Sequence, residues 1–111
     1  MKEGNIVLTP LPQADGKTKL RPALLLRQLP PHNDFLVCGI SSQVWHEVKN
    51  FDELITASDT DYKQSGLINS SLIRLGFLAV IPTKNIAGSI GNISSGRHKR
   101  LLNNLASHLV K

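Results

Sequence analysis

A chain of 111 residues with 41% hydrophobic side chains has the size of one domain with one modest core. Lys and Arg outnumber Asp and Glu by 13 to 8, and the net charge of +5 suits a polyanionic partner, although small domains also carry such charge for solubility. The single cysteine excludes an internal disulfide framework and a Cys-rich zinc site, no apolar stretch approaches a membrane span, and no charged-then-apolar leader opens the sequence, so the expectation is a cytosolic protein without a membrane partner.

Asn5-Ile6-Val7-Leu8-Thr9 predicts a short strand ended by Pro10 and Pro12, which cannot donate to a ladder. The polar stretch from Gln13 to Lys19 carries a turn signal at Asp15-Gly16. Pro22 then opens the apolar run Ala23-Leu24-Leu25-Leu26, which suits a strand buried on both faces. After the turn Pro30-Pro31-His32-Asn33-Asp34, Phe35 to Ile40 predicts a third strand. Cys38 lies inside it, where a thiol packs rather than reacts.

Residues 42–70 are mixed and polar, with weak strand signals near Glu53 to Thr56. Gly66 to Ile81 is β-rich, with Gly76 as the expected break between two runs, and Ile86 to Ile93 suits a twisted edge strand. The period then changes. Leu101, Leu102, Leu105 and Leu109 share one helical face, with Arg97, Lys99 and Arg100 mostly off it and Ser94 or Ser95 as the cap. Short strands followed by one amphipathic helix predict a mainly β domain with a C-terminal α-helix: a small barrel over about 3–93 and a helix over about 95–109.

Chemistry narrows by elimination. His32, His46, His98 and His108 stand far apart without paired ligands, so no metal site is expected; no Gly-x-Ser-x-Gly elbow and no phosphate-cradling glycine loop occurs. A polar and basic set around two strands remains. If the strand after Arg21 pairs antiparallel with the next, the start of one lies beside the end of the other. Arg21 and Ser41 then meet at one sheet rim, where a guanidinium fork and a hydroxyl clamp a phosphate. Trp45 and Phe51 are aromatic enough to stack on bases, with core packing or a subunit contact as the expected role. The Arg97-His98-Lys99-Arg100 cluster is expected to be a solvated helix face.

Gly4-Asn5-Ile6-Val7, Lys19-Leu20-Arg21-Pro22-Ala23-Leu24-Leu25-Leu26 and Gly39-Ile40-Ser41-Ser42-Gln43, followed by Ser65-Gly66-Leu67 and Ser71-Leu72-Ile73-Arg74, resemble in order the MazF/PemK family of messenger-RNA-cleaving toxins. The resemblance implies an SH3-like barrel of the CcdB/MazF/PemK type, a homodimer, single-stranded RNA in a groove, a cognate antitoxin and no cofactor. It places the catalytic arginine at Arg21, the catalytic hydroxyl at Ser41 and a later-strand arginine at Arg74. Lys17, Lys19, Ser42 and Gln43 are the remaining RNA contacts expected. Serine stands where threonine is usual at 41, and glycines 16 and 76 stand where the family carries acids. Asp15, His32 and His46 are then the general-base candidates, with Asp15 first for its loop position. The expected reaction is attack of a ribose 2′-OH on its adjacent phosphate. The competing readings are a gyrase poison resembling CcdB, and a family member that binds without cleaving.

Overall fold

The computed structural model describes residues 1–12 and 14–111; Gln13, the first residue of the expected polar loop, lies outside the described residues. Among these, six strands form one antiparallel sheet: β1 (Asn5–Pro12), β2 (Thr18–Leu29), β3 (Asp34–Ser41), β4 (Glu53–Ile55), β5 (Ser71–Ile81) and β6 (Gly88–Asn92). The order is β4-β5-β3-β2-β1-β6, so β6 is an edge strand as its glycines suggest. A one-turn helix α1 (Tyr62–Ser65) precedes β5, and α2 (Ser95–Leu109) closes the chain.

β1 does not stop at its prolines. It runs through exposed Pro10 and Pro12, paired with Leu20 and Thr18 of β2. Among the described residues β6 pairs with β1 from Asn5 to Leu8, so the strand pairing of the proline half is to β2, and strand margins tolerate proline. β2 likewise begins at Thr18, upstream of Pro22. Nor does Gly76 divide β5. Cys38 faces Leu78 whereas the next residue, Gly39, faces Arg74, so Leu75, Gly76 and Phe77 form a bulge inside one continuous strand.

The sheet curls and carries apolar clusters on both faces. Leu24, Leu26, Cys38, Ile40 and Ile73 pack with Leu101 and Leu105 of α2. Ala23, Leu25, Phe35, Val37 and Ile86, alternating with the first set on β2 and β3, form the second cluster with Phe77, Ala79 and Ile81. Leu109, expected on the buried stripe of α2, is 69% exposed, in a last helical turn that is exposed throughout. Phe51 packs against the first cluster, with its ring 5.0 Å from that of His108.

The two ends of the curl approach one another through α1. A Cβ at Gly91 of β6 would overlap the backbone of Gln64 and Ser65, and one at Gly66 would overlap the carbonyl of Ile90. Gly66 also holds the left-handed φ of +74° that ends α1. Only glycine fits at both places.

An ion cluster fastens this seam to α2. The Ser94 hydroxyl accepts from the Arg97 N–H and caps the helix. Arg97 was expected on a solvated face; it is buried at 5% exposure instead. Its Nε donates to Asp61 Oδ2 at 2.9 Å, its Nη2 to Asp61 Oδ1 at 3.1 Å, and its Nη1 to Glu53 Oε1 at 2.8 Å and the Leu54 carbonyl at 2.9 Å. Arg100 shares Glu53 through an Nε bond of 2.9 Å to Oε2. Burial alone would raise the Asp61 carboxyl; hydrogen bonds from Arg97 and the Ser94 N–H, with the guanidinium charge, outweigh it and hold that carboxyl below the usual range.

Candidate active site

The second cluster's sheet face has two halves. One is apolar and packed; the other opens as a cleft of about 680 Å³ where β2, β3 and β5 end together. Pairings Ala23–Gly39, Leu24–Cys38 and Leu25–Val37 fix the register of the central hairpin. Continued by two residues, that register brings Arg21 opposite Ser41, as the antiparallel argument expected. Both line the cleft. Arg74 reaches it from the other side, paired in the sheet with Gly39. Two strand spacings and a two-residue offset set the Arg21 and Arg74 backbones roughly 10–12 Å apart. Two long side chains at that separation can converge on one phosphate.

Local chemistry prepares both sides. The Ser41 Oγ accepts the Gln43 N–H at 3.0 Å, which closes the turn after β3 and, among the described residues, leaves the hydroxyl proton for a ligand oxygen. Arg27, Arg97 and Arg100 are each committed to carboxylates. Among the described residues no hydrogen bond or ion pair engages the Arg74 side chain, which lines the cleft just before the three-residue bulge. Gly39 between these groups carries no side chain over the cleft floor, and a Cβ there would meet the Phe77 ring at 3.3 Å. No carboxylate stands among the described lining residues, so the cleft presents positive charge and hydroxyl or amide donors to whatever enters it.

Ser42 and Gln43 line the cleft beside Ser41. Lys17, Lys19 and Asp15 do not. Lys19 is exposed two residues before Arg21 on the same face of β2, so it extends the cationic face outward. Asp15 sits in the exposed turn, its Oδ1 accepting the Lys17 N–H at 3.0 Å, and its neighbour Ala14 lines the cleft. His32 lies in the turn after β2, eight or more strand residues and about 26 Å from Arg21, which removes it as a base for this site. Trp45 is not in the core: it is 73% exposed on a 3-10 turn over Val44–His46. Ile68 and Asn69, also on the rim, carried no pattern that would single them out in the sequence.

Residues 2–109 match the family model of PemK-like, MazF-like toxins of type II toxin–antitoxin systems. The chain belongs to that family. Among solved structures the protein is similar to the Mycobacterium tuberculosis toxin MazF-mt6, with a TM-score of 0.69 over 96% of each chain at 19% identity. At that identity the likeness bears on the fold alone, and it agrees with the curled sheet and C-terminal helix. A search of the curated proteins finds no significant match. Among the described residues no His, Cys, Asp or Glu group is arranged to hold a metal ion, and no helix is long and apolar enough to cross a membrane.

Proposed function

We propose that this PemK-like, MazF-like toxin is a sequence-specific, metal-independent endoribonuclease that cleaves single-stranded RNA in the cytoplasm, acting as a homodimer restrained by a cognate antitoxin. The observation that carries the reading is a cleft with an arginine on either side, a hydroxyl between them and no carboxylate among its described lining residues. Such a site suits a phosphodiester, whose charge it receives without desolvating an opposing acid.

The chemistry follows from the donors. A ribose 2′ oxygen attacks the adjacent phosphorus, and the bond from that phosphorus to the 5′ oxygen of the next nucleotide breaks. The products are a 2′,3′-cyclic phosphate and a 5′-hydroxyl. Arg21 and Arg74 bind the non-bridging oxygens, and the Ser41 hydroxyl donates to them as their charge rises. Fixed cations and hydroxyls supply this stabilisation in the way a metal would elsewhere. Asp15, beside cleft-lining Ala14, takes the 2′-OH proton, and solvent water returns a proton to the leaving 5′ oxygen while Arg21 stabilises the charge that builds on it. Lys17, Lys19, Ser42 and Gln43 hold the flanking strand.

A second reading, a member that binds RNA or antitoxin without cutting, is favoured by the absence of carboxylates among the described lining residues and by glycine at 16 and 76. One experiment separates the two. Purified protein is incubated with long single-stranded RNA in EDTA and the product ends are mapped. Discrete cuts ending in 2′,3′-cyclic phosphate support the nuclease, whereas intact RNA that nonetheless binds supports the non-cleaving member.

A further inference from the structure

Tryptophan is seldom left in water, and this chain's single tryptophan, Trp45, is 73% exposed. It stands on the turn Val44–His46, two residues past Gln43, which lines the cationic cleft. The turn that carries it is well tethered. His46 N–H donates to the Gln43 carbonyl at 3.1 Å and Glu47 N–H to the Val44 carbonyl at 3.3 Å. Downstream, the buried Asp52 carboxylate accepts Val48 N–H at 2.9 Å and Leu75 N–H at 3.0 Å. Leu75 follows Arg74. One carboxylate therefore ties the segment after Trp45 to the strand that delivers a cleft arginine. The His46 ring meets Trp45 edge-on, with centroids 5.7 Å apart and planes at 73°, an arrangement that braces the indole from one side.

We infer that Trp45 is a stacking platform for an unpaired nucleobase flanking the phosphate held between Arg21 and Arg74; this deepens the ribonuclease reading and rests on it. An aromatic face beside a cationic groove is what a single-stranded polynucleotide requires, because each nucleotide offers a π-face next to a negative charge. The positive cleft, with no carboxylate among its described lining residues, favours a nucleic acid over a protein segment that would bring apolar side chains alone. Ile68, 89% exposed on the cleft wall, supplies a second apolar contact for the same strand.

The lone tryptophan makes the test direct. A 2′-O-methyl single-stranded oligonucleotide, which cannot be cleaved through the 2′ oxygen, is titrated into the protein while indole emission and oligonucleotide anisotropy are followed together. The expected result is saturating quenching with the same midpoint as the anisotropy change, weakening of about 5- to 150-fold in Trp45→Ala, and near-complete recovery in Trp45→Phe. An abasic site at one position should abolish the quenching while anisotropy still reports binding. Binding by anisotropy with unchanged emission and unchanged Trp45→Ala affinity would overturn the platform and leave the RNA reading standing. No binding of any RNA by the wild-type protein would overturn both. Emission that shifts to the blue with protein concentration alone, without RNA, would place Trp45 in a contact between copies and overturn the platform.

Discussion

Replacing Arg97 by Met keeps an unbranched stem in the cluster and removes the guanidinium that makes four hydrogen bonds there. Asp61, 3% exposed, would keep only the Ser94 N–H as a partner within the cluster, and Glu53 would keep Arg100. Removing one member of a buried pair costs about 3–5 kcal/mol, mostly because the remaining charge is stranded. That is a large share of the roughly 5–15 kcal/mol that holds a typical domain folded. At about 4 °C per kcal/mol, the lower end for a domain of this size, Tm should fall by about 12–20 °C. Urea and thermal unfolding followed by circular dichroism measure this. The double variant Arg97→Met/Asp61→Leu removes both charges and should recover part of the loss, since an apolar replacement of the whole pair is often neutral. A loss below about 1 kcal/mol in the single variant would put the pair among exposed ones and refute the clasp. So would a double variant as unstable as the sum of its parts.

Further outcomes follow from the same packing. The Asp61 carboxyl lies below its usual range when folded, so its contribution is present above the unfolded value near 3.9 and is lost as pH falls through the folded one; urea midpoints should decline below about pH 4, and less steeply in Asp61→Asn. Gly91→Ala forces a methyl into the α1 backbone and should cost about 1–3 kcal/mol, whereas Gly88→Ala, with nothing within 4 Å of a new Cβ, should be near neutral; equal urea midpoints would contradict the seam. Burial pushes the Cys38 thiol up and leaves it 0% exposed, so a thiol reagent should label it only in denaturant, and rapid labelling of the native protein would show the strand to be open.

The central strands were legible because uninterrupted apolar runs such as Ala23 to Leu26 and Phe35 to Ile40 have few other homes, and the closing helix because its leucines change period. The failures share a cause: neighbours distant in sequence. Pro10 and Pro12 read as stops, yet among the described residues β6 pairs with β1 from Asn5 to Leu8, short of both prolines, so they interrupt no β1–β6 ladder. Gly76 read as a break, yet β3 advances one residue while β5 advances four, and the bulge absorbs it. Arg97 read as part of a basic surface cluster because its acidic partners Asp61 and Glu53 lie 36 and 44 residues upstream. In the cleft, Arg21 and Ser41 were placed together by strand pairing alone. Trp45 was expected in an interior or a contact, and the turn that lifts it out is held by local backbone hydrogen bonds, which leave no side-chain pattern in the sequence.

The catalytic role of the cleft is tested most directly by the single-turnover cleavage rate of a single-stranded RNA in EDTA, compared between the wild-type protein and Arg21→Ala, with circular dichroism to establish that both are folded. The wild type should cut the RNA and the variant should lose about 10² to 10³ or more in rate, the cost of removing a preorganised donor to the developing phosphoryl charge. Equal rates in the two proteins would contradict the assignment of the chemistry to this cleft.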